Sequence, residues 1–327
     1  MKACVFEKYG PPDILKIKDV PRPEPKQDEV LVRTHTTTVI AGDCELSSFN
    51  FPLWFWLPLR LYVGFFRPKR VTVAGQELSG TIEAVGRDVT RFKVGDQVFA
   101  ATGAKFGAHA EYKCIPETDA ITLKPTELSY EDAATLPTGG LNALHHIQHA
   151  QVKAGEKILI AGAGGNIGSF AVQLAKYYGA TVTAIDCAEK LDMLRSIGAD
   201  DVIDFKTQDF TKSTEKYDVI MDTIGKTPFS LSLKALTRNG RYILVNPRVN
   251  QMLRGLWVSA TSSKKVLFAF APYKTDDMDL LAKLVIEGKI TPTIDRSYPF
   301  QDIIDAYKYI GAKRHKGNVV IKMAGAE

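Results

Sequence analysis

The fold is decided by the stretch Lys157-Ile-Leu-Ile-Ala-Gly-Ala-Gly-Gly-Asn-Ile-Gly168. Its first five residues have the apolar pattern of a short buried strand, and apolar residues recur at helical spacing from Ile167 onward. Glycines between a strand and a helix let the backbone turn tightly and approach a pyrophosphate, which the helix N-terminus then faces. The stretch therefore predicts a dinucleotide-binding turn, with a turn that only packs helix on strand as the alternative.

An acidic residue follows at the distance that this motif requires. The next predicted strand, 181–185, leads into Asp186, eighteen residues after Gly168. A carboxylate here would bond the adenosine ribose hydroxyls and repel a 2′-phosphate, so Asp186 favours NAD(H). Lys190 could still reach a 2′-phosphate, which keeps NADP(H) open. The alternatives without a cofactor role are that Asp186 is a surface acid and that Lys190 is a solvated helix residue.

The chain divides by its pattern near Lys124-Pro125. Before that point short apolar runs alternate with Pro, Gly and Asp clusters, which predicts a β-rich part. After it strands alternate with helices, which predicts a doubly wound parallel sheet. The final strand has no evident parallel partner and is expected to return to the first part. The predicted strands are 3–6, 29–36, 80–85, 157–161, 181–185, 202–204, 217–221, 241–245 and 318–322. One predicted helix begins at residue 129, and the others span 190–197, 229–236, 277–287 and 301–310.

Composition excludes several classes of protein. The 327 residues are 45% hydrophobic and 24% charged, as in an ordinary globular chain. A net charge of +5, a small excess spread along the chain, gives little support for nucleic-acid binding. Four separated cysteines and no apolar start predict a reducing, cytoplasmic location. The apolar segment 51–66 is too short to span a bilayer, which leaves a buried segment, a site lining or a surface contact with a membrane.

Other catalytic chemistries lack their residues. His145 and His149 are one helical turn apart, but no third ligand is evident, so a helical histidine pair without metal is favoured. No GxSxG elbow marks a serine hydrolase. The glycine turn is not followed by Lys-Ser or Lys-Thr, which excludes a nucleoside-triphosphate loop.

These residues identify a family resemblance over nearly the whole chain. The chain resembles the zinc-independent, quinone oxidoreductase-like (zeta-crystallin-like) branch of the medium-chain dehydrogenase/reductase superfamily. The motifs that carry the resemblance, besides the glycine turn, are Tyr9-Gly-Pro-Pro-Asp13, Glu29-Val-Leu-Val-Arg33, Thr38-Val-Ile-Ala-Gly-Asp43, Gly75-Gln-Glu-Leu-Ser-Gly80, Glu83-Ala-Val-Gly86, Arg91-Phe-Lys-Val-Gly-Asp96, Phe106-Gly-Ala-His-Ala-Glu-Tyr112, Leu136-Pro-Thr-Gly-Gly-Leu141, Ile197-Gly-Ala-Asp200, Val202-Ile-Asp204, Gly288-Lys-Ile290 and Gly317-Asn-Val-Val320.

The resemblance implies an α/β fold in which a GroES-like catalytic domain is formed by both chain ends around a Rossmann domain. The implied bounds are 1–124 for the first part of the catalytic domain, 125–262 for the Rossmann domain and 263–327 for the return. A homodimer joined through the Rossmann sheets is also implied. The implied reaction is hydride transfer from NAD(P)H to a quinone or an α,β-unsaturated carbonyl compound.

Comparison with zinc-dependent relatives implies that no zinc is used. Those relatives have ligands where this chain has Ile40, Gln76 and Thr138-Gly139, and a four-cysteine lobe that is missing here. Many zinc-independent members have Asn at Ile40, so one polar contact of the branch is absent. NADPH-using members mostly have a small residue at Asp186 and Tyr at Phe205, which again favours NADH.

The resemblance also implies the site residues. Tyr62 is the candidate proton donor, with a packed aromatic residue or proton supply by water as the alternatives. Asp43 either orients the site or holds a local turn. Aromatic side chains at Phe49, Trp54, Trp56, Phe65 and Phe66 line an apolar acceptor pocket or belong to a core. The implied cofactor-binding residues are Thr138, Gly162, Gly165, Asn166, Ile167, Gly168, Asp186, Lys190, Ile224, Gly225, Val245, Asn246 and Asn318.

Two other functions are consistent with the sequence. One is a dehydrogenase of small alcohols, which the missing metal ligands disfavour. The other is a non-catalytic dinucleotide-binding or sensor protein, because a fold does not determine a function.

Overall fold

The computed structural model describes residues 1–51 and 53–323, and the side chains of residues 53 and 54 lie outside the description, so the predicted pocket residue Trp54 does too. Fifteen strands are described: β1 (Lys2–Val5), β2 (Lys16–Asp19), β3 (Glu29–Val39), β4 (Glu77–Val85), β5 (Gln97–Ala101), β6 (Tyr112–Pro116), β7 (Ile121–Leu123), β8 (Lys157–Ala161), β9 (Thr181–Asp186), β10 (Asp201–Asp204), β11 (Tyr217–Asp222), β12 (Leu236–Leu244), β13 (Lys265–Leu267), β14 (Ile294–Pro299) and β15 (Asn318–Lys322). The α-helices are α1 (Ala41–Ser48), α2 (Leu53–Val63), α3 (Tyr130–Thr135), α4 (Leu141–His149), α5 (Asn166–Tyr177), α6 (Leu191–Ser196), α7 (Phe229–Ala235), α8 (Val249–Thr261), α9 (Thr275–Ile286) and α10 (Ile303–Gly311).

The chain forms two compact units. Unit 1 comprises Met1–Thr138, Tyr273–Ile286 and the chain from Ile294, and unit 2 comprises Gly139–Pro272 and Glu287–Thr293. Both ends of the chain therefore contribute to unit 1.

Unit 2 contains the predicted parallel sheet. Its six strands run in the order β10-β9-β8-β11-β12-β13, and every neighbouring pair is parallel. The fully buried side chains of Ile158, Leu159 and Ile160 explain the uniformly apolar pattern of β8, since both faces of such a sheet are covered. The strand order changes direction beside β8, and the carboxyl ends at such a point form the crevice where ligands bind. The predicted Rossmann fold is confirmed.

Unit 1 is built around a seven-stranded sheet. Its main path is β14-β15-β3-β4-β5-β7, and β6 pairs with β3. The last strand, β15, pairs antiparallel with β3, which confirms its predicted return to the first part of the chain. The expectation that β15 has no parallel partner is wrong, because residues 294–299 form β14 and pair with it in parallel.

Several elements were absent from the predicted pattern: α1, α2, α8, β2, β6, β7 and β13. Helix α2 lies within the apolar segment 51–66 despite Pro58. Helix α8 and strand β13 follow β12. Only Gln251 and Gly255 of α8 are buried, and Met252 and Val258 are half-buried, while Val249, Leu253, Leu256 and Trp257 are exposed. Its apolar residues therefore do not form the inward stripe that identifies a helix from sequence. No helix within the described ranges is long and apolar enough to cross a membrane.

Candidate functional site: a dinucleotide-binding turn and a buried polar cluster

The glycine turn is shaped by close backbone approaches. A Cβ atom at Gly168 would lie 2.3 Å from the Gly162 carbonyl oxygen and 2.6 Å from Ala163 Cα, so the helix can approach the turn only with glycine here. Gly162 has φ +75°, a conformation that favours glycine. At Gly165 an added Cβ would make only an ordinary contact, 3.7 Å from the Gly162 carbonyl oxygen, so the protein leaves room for a methyl group here.

Helix α5 begins directly after this turn. Its N-cap residue, Gly165, has no side chain to cap the first backbone N–H groups. Such an N-terminus attracts anions through its N–H groups and the helix dipole. Gln173, further along α5, donates to Thr291 O at 2.9 Å and accepts from Thr291 N at 2.7 Å, which fixes the helix within unit 2.

Asp186 closes the turn from the end of β9. Its Oδ2 accepts a hydrogen bond from Gly164 N at 2.8 Å, and its Oδ1 accepts one from Cys187 N at 2.9 Å. Lys190 Nζ lies 3.5 Å from Oδ1, with both side chains largely buried. The acid and the lysine predicted for the ribose are thus joined to each other and to the glycine turn.

A second loop lies beside the turn. Thr223 Oγ1 donates to Ala161 O at 2.9 Å and to Gly162 O at 3.2 Å. Asn246 Nδ2 donates to Thr223 O at 2.9 Å, which joins Val245-Asn246 to this loop. Asp222 holds the loop by accepting from Ile224 N at 3.1 Å and Gly225 N at 2.8 Å.

Unit 2 therefore brings together most of the predicted cofactor-binding residues. These are Gly162, Gly165, Asn166, Ile167, Gly168, Asp186, Lys190, Ile224, Gly225, Val245 and Asn246. The side-chain-free N-terminus of α5, the uncrowded backbone at Gly165 and the carboxylate at Asp186 fit a dinucleotide. Thr138, Asn318, Asp43 and Tyr62 belong to unit 1, and their roles stay predictions.

In unit 1, Asp43 is fully buried and both of its oxygens are occupied. Oδ2 accepts from Ile40 N at 3.0 Å and Oδ1 accepts from Gly75 N at 3.0 Å. Burial raises the pKa of Asp43, while His109 and the hydrogen bonds from Ile40, Gly75 and Gln76 oppose that rise. These contacts fasten the start of α1 to the segment before β4.

His109 extends this buried cluster. Its Nε2 lies 3.8 Å from Asp43 Oδ2 and 2.8 Å from Thr38 O, and its Nδ1 lies 3.0 Å from the Tyr307 hydroxyl. Burial, followed by the charges of Asp43, Cys4 and Cys44, raises the pKa of Tyr307 well above its ordinary value. Tyr307 therefore keeps its proton and links α10 to the cluster.

Glu77 was not among the predicted site residues, yet it is fully buried beside Thr138. Its Oε2 accepts from Thr138 N at 2.6 Å, and its Oε1 accepts from Thr38 Oγ1. Burial raises the pKa of Glu77 to about 8, against the effect of these hydrogen bonds. The signal in the sequence was an acid shortly before the predicted strand 80–85, beside the Gln76 position that zinc-dependent relatives use for a ligand. Thr138 itself lies in a π-helical turn, Leu136–Gly140, a geometry frequent at functional sites.

The positions of the ligands in zinc-dependent relatives carry other groups here. Ile40 is apolar, Gln76 is an amide that interacts with Asp43, and Thr138 is bonded through its backbone to Glu77. The His145 and His149 rings lie 5.6 Å apart. Burial, with the neighbouring charges of His145 and His149, lowers the pKa of His146 to about 4. Within residues 1–51 and 53–323 no group of three or more His, Cys, Asp or Glu side chains could hold a metal ion.

The candidate proton donor and the aromatic segment lie together in unit 1. Tyr62 is half-buried in α2, and the Arg70 guanidinium lies 4.4 Å from its ring centroid. Phe49 belongs to the buried core and Trp56 packs against that core, whereas Phe65 and Phe66 are exposed. The aromatic set is therefore divided between core and surface.

Comparison with known proteins agrees with this geometry. A family model described as alcohol dehydrogenase GroES-like domain matches residues 26–125, and one described as zinc-binding dehydrogenase matches residues 197–321. A quinone-oxidoreductase homolog from Spinacia oleracea is 32% identical, with 98% of each chain covered. An NADPH-dependent alkenal/one oxidoreductase from Arabidopsis thaliana is 30% identical over 98% of this chain and 79% of its own. The quinone oxidoreductase of Coxiella burnetii superposes with a TM-score of 0.89 at 27% identity, covering 98% of this chain and 99% of its own.

The parallel sheet, the glycine turn and the returning strand define a dinucleotide-dependent oxidoreductase of the medium-chain type. The chain belongs to the quinone oxidoreductase-like branch of the medium-chain dehydrogenase/reductase superfamily.

Proposed function

We propose that this protein is a zinc-independent reductase that transfers hydride from NADH to a quinone or an α,β-unsaturated carbonyl compound. The observation that carries the proposal is the glycine turn closed by Asp186, in a chain that has Ile40, Gln76 and Thr138 where zinc-dependent relatives have ligands. Relatives named quinone oxidoreductase and alkenal/one oxidoreductase support the acceptor class.

The residues have distinct tasks in this proposal. A bound NAD(P)H supplies the hydride at its nicotinamide C4. The N-terminus of α5 holds the pyrophosphate, and Asp186 holds the adenosine ribose. Thr138 and Asn318 border the nicotinamide by family position. Tyr62 or water supplies the proton to the reduced acceptor.

The preference for NADH rests on charge. Asp186 would repel a 2′-phosphate, and Lys190, the nearby cation, is held 3.5 Å from that carboxylate. Removal of the carboxylate would free Lys190 and the N–H groups of Gly164 and Cys187 for a phosphate. The relative named as NADPH-dependent makes the opposite preference the natural rival.

The test measures NADH and NADPH oxidation with a panel of quinones and 2-alkenals. We expect acceptor-dependent oxidation that is faster with NADH. Asp186→Ala should raise the NADPH-to-NADH ratio of kcat/KM about 100-fold, equivalent to about 3 kcal/mol. Lys190→Met in the Asp186→Ala background is the matched control and should reverse most of that gain.

The outcomes separate the parts of the proposal. Faster turnover with NADPH in the unmodified protein would overturn the cofactor preference and leave the reaction class intact. Cofactor binding without turnover on any acceptor would favour the non-catalytic dinucleotide-binding alternative. Alcohol oxidation that depends on added zinc would favour the alcohol dehydrogenase.

We also propose a homodimer joined through unit 2. Strand β13 is at the edge of the six-stranded sheet, a position where strands of two chains can pair, and its Val266 N donates to Ser259 Oγ of α8 at 2.9 Å. Beside it, α8 exposes Leu253, Leu256 and Trp257. Exposed apolar groups beside a strand edge are typical of an interface. Light scattering should give a dimer mass, and Trp257→Lys should shift it toward the monomer.

A further inference from the structure

The apolar segment at α2 ends in an exposed surface that the proposed activity does not explain. Leu57 and Leu61, four residues apart on α2, are 51% and 69% exposed. Phe65 and Phe66, just beyond the helix, are 45% and 90% exposed. We call these four side chains the apolar tip. Large apolar groups gathered on one exposed surface mark an interaction site rather than a core.

The tip is a built feature of unit 1. Gly64, with φ +142°, makes a turn in which an added Cβ would lie 2.1 Å from Arg67 O. The backbone N–H groups of Lys69 and Arg70 donate to Val63 O at 2.9 and 3.0 Å, so the chain folds back onto the helix end. The Phe65 and Phe66 rings meet edge to face, with centroids 5.0 Å apart. The turn therefore holds two phenylalanines outward.

The other side of α2 anchors the tip to the core. Leu59 and Val63 are buried in the core of unit 1, on the side of the helix opposite Leu57 and Leu61. The Arg60 guanidinium lies 3.7 Å from the Tyr9 ring centroid and 4.1 Å from that of Phe49, and its Nη1 donates to Phe65 O at 3.2 Å. The face of α2 with Leu59 and Val63 is therefore packed against the core, whereas the face with Leu57 and Leu61 has no such packing.

The chain segment that carries the tip has charges of one sign. The sequence has no Asp or Glu between Glu45 and Glu77, and this interval contains Arg60, Arg67, Lys69 and Arg70. Arg67, Lys69 and Arg70 are exposed. Cations that surround exposed Phe and Leu side chains complement an anionic surface with an apolar interior, which is the chemistry of a lipid bilayer.

We propose that the apolar tip docks on the surface of a membrane that contains anionic lipids. Helix α2, with eleven residues, is too short to cross a bilayer, so the tip would insert only as far as the boundary between headgroups and acyl chains. A symmetric contact with a second copy would bring the cations of this segment together, and an uncharged acceptor molecule would not need them. The inference does not rest on the proposed reaction, since it concerns the protein without cofactor or acceptor.

The test is sedimentation of the full chain with vesicles of phosphatidylcholine alone or of phosphatidylcholine and phosphatidylserine at about two to one. We expect at least fivefold stronger binding to the anionic vesicles. Binding should fall steeply as NaCl is raised from about 0.05 M to about 0.5 M, because salt screens surface charge.

Two double variants decide whether the tip carries the binding. Phe66→Ala with Arg67→Gln removes one apolar and one basic group from the tip and should weaken binding to anionic vesicles at least tenfold, of which about fivefold comes from the charge. Val94→Ala with Lys93→Gln changes an adjacent exposed pair of the same kind elsewhere in unit 1 and should change binding less than twofold. Thermal unfolding of both variants checks that the fold is retained.

Three results would overturn the proposal. The first is no sedimentation of the unmodified protein with anionic vesicles at low salt. The second is equal binding by the tip variant, or an equal loss in the control variant. The third is self-association that the tip variant abolishes without any vesicle binding, which would assign the surface to a second copy of the chain.

Discussion

The glycine turn of unit 2 and the buried polar cluster of unit 1 form their surfaces by different means. The turn is built from main chain, with close approaches at Gly162 and Gly168 and a carboxylate, Asp186, that is paired with Lys190. The cluster is built from buried side chains, and neither Asp43 nor Glu77 has a lysine or arginine partner within hydrogen-bond distance among the described residues. The comparison shows two ways to hold a polar site in one conformation. Glycines allow close main-chain approaches in the turn, and hydrogen bonds hold the buried carboxylates in the cluster.

The largest effect is expected at the glycine turn. Gly168→Ala would force a Cβ to within 2.3 Å of the Gly162 carbonyl oxygen. The helix and the turn must then separate, so we expect NADH affinity to fall more than about 100-fold and the melting temperature to drop. Titration calorimetry and thermal unfolding measure the two effects.

Gly165→Ala is the matched control, because its Cβ would meet no protein atom closer than 3.7 Å. We expect an unchanged melting temperature but weaker NADH binding, since the new methyl group would occupy the space of the pyrophosphate. Full NADH affinity in this variant would show that the cofactor does not approach Gly165.

The next effect concerns Asp43. Both of its oxygens accept from backbone N–H groups, so an asparagine must turn its NH2 group toward one of these donors. An unsatisfied buried donor costs about 1–3 kcal/mol, and we expect Asp43→Asn to lower the free energy of unfolding by about 3 kcal/mol. Urea denaturation measures this change. Asp96→Asn, at a half-buried acid that accepts from Lys93 N at 2.9 Å, should be nearly neutral.

At Glu77, in contrast to Asp43, replacement of the acid by its amide should not lower the free energy of unfolding near pH 6. One of its partners is the Thr38 hydroxyl, which can also accept a hydrogen bond, so a glutamine can replace the protonated acid. Because the pKa is raised to about 8 in the folded protein from 4.5, stability is fully present below pH 4.5 and is lost as the pH rises through 8. The loss should be about 1 kcal/mol per pH unit within this window.

We expect Glu77→Gln to retain stability near pH 6 and to flatten the decline between pH 4.5 and about pH 8, as measured by urea denaturation at several pH values. Glu111→Gln, at a half-buried glutamate that accepts from Lys2 N at 2.7 Å, is the control for charge removal. An unchanged pH dependence in Glu77→Gln would mean that Glu77 is already ionised at pH 6.

The same comparison explains which features of the structure could be predicted from the sequence. The turn is local, so strand 157–161, the glycines and Asp186 could be placed from spacing alone, and β8 has the predicted bounds. The polar cluster depends on contacts between distant residues, such as Asp43 with Gly75 and Glu77 with Thr138. No local periodicity encodes these pairs. Helix α8 was not predicted because four of its large apolar side chains face outward, so it has no clear inward apolar stripe.

Tyr62 gives the smallest expected effect. Tyr62→Phe keeps the ring beneath the Arg70 guanidinium and removes only the hydroxyl, so folding should not change. A general acid contributes about 100-fold or more, but water can supply the proton to a reduced quinone or enolate. We therefore expect kcat to fall about tenfold, with the loss greatest at high pH where hydronium is scarce. Tyr112→Phe, at a tyrosine whose ring lies 4.0 Å from the Arg22 guanidinium, is the matched control and should retain full activity. Equal kcat in the two variants would remove Tyr62 from the reaction and assign it to packing alone.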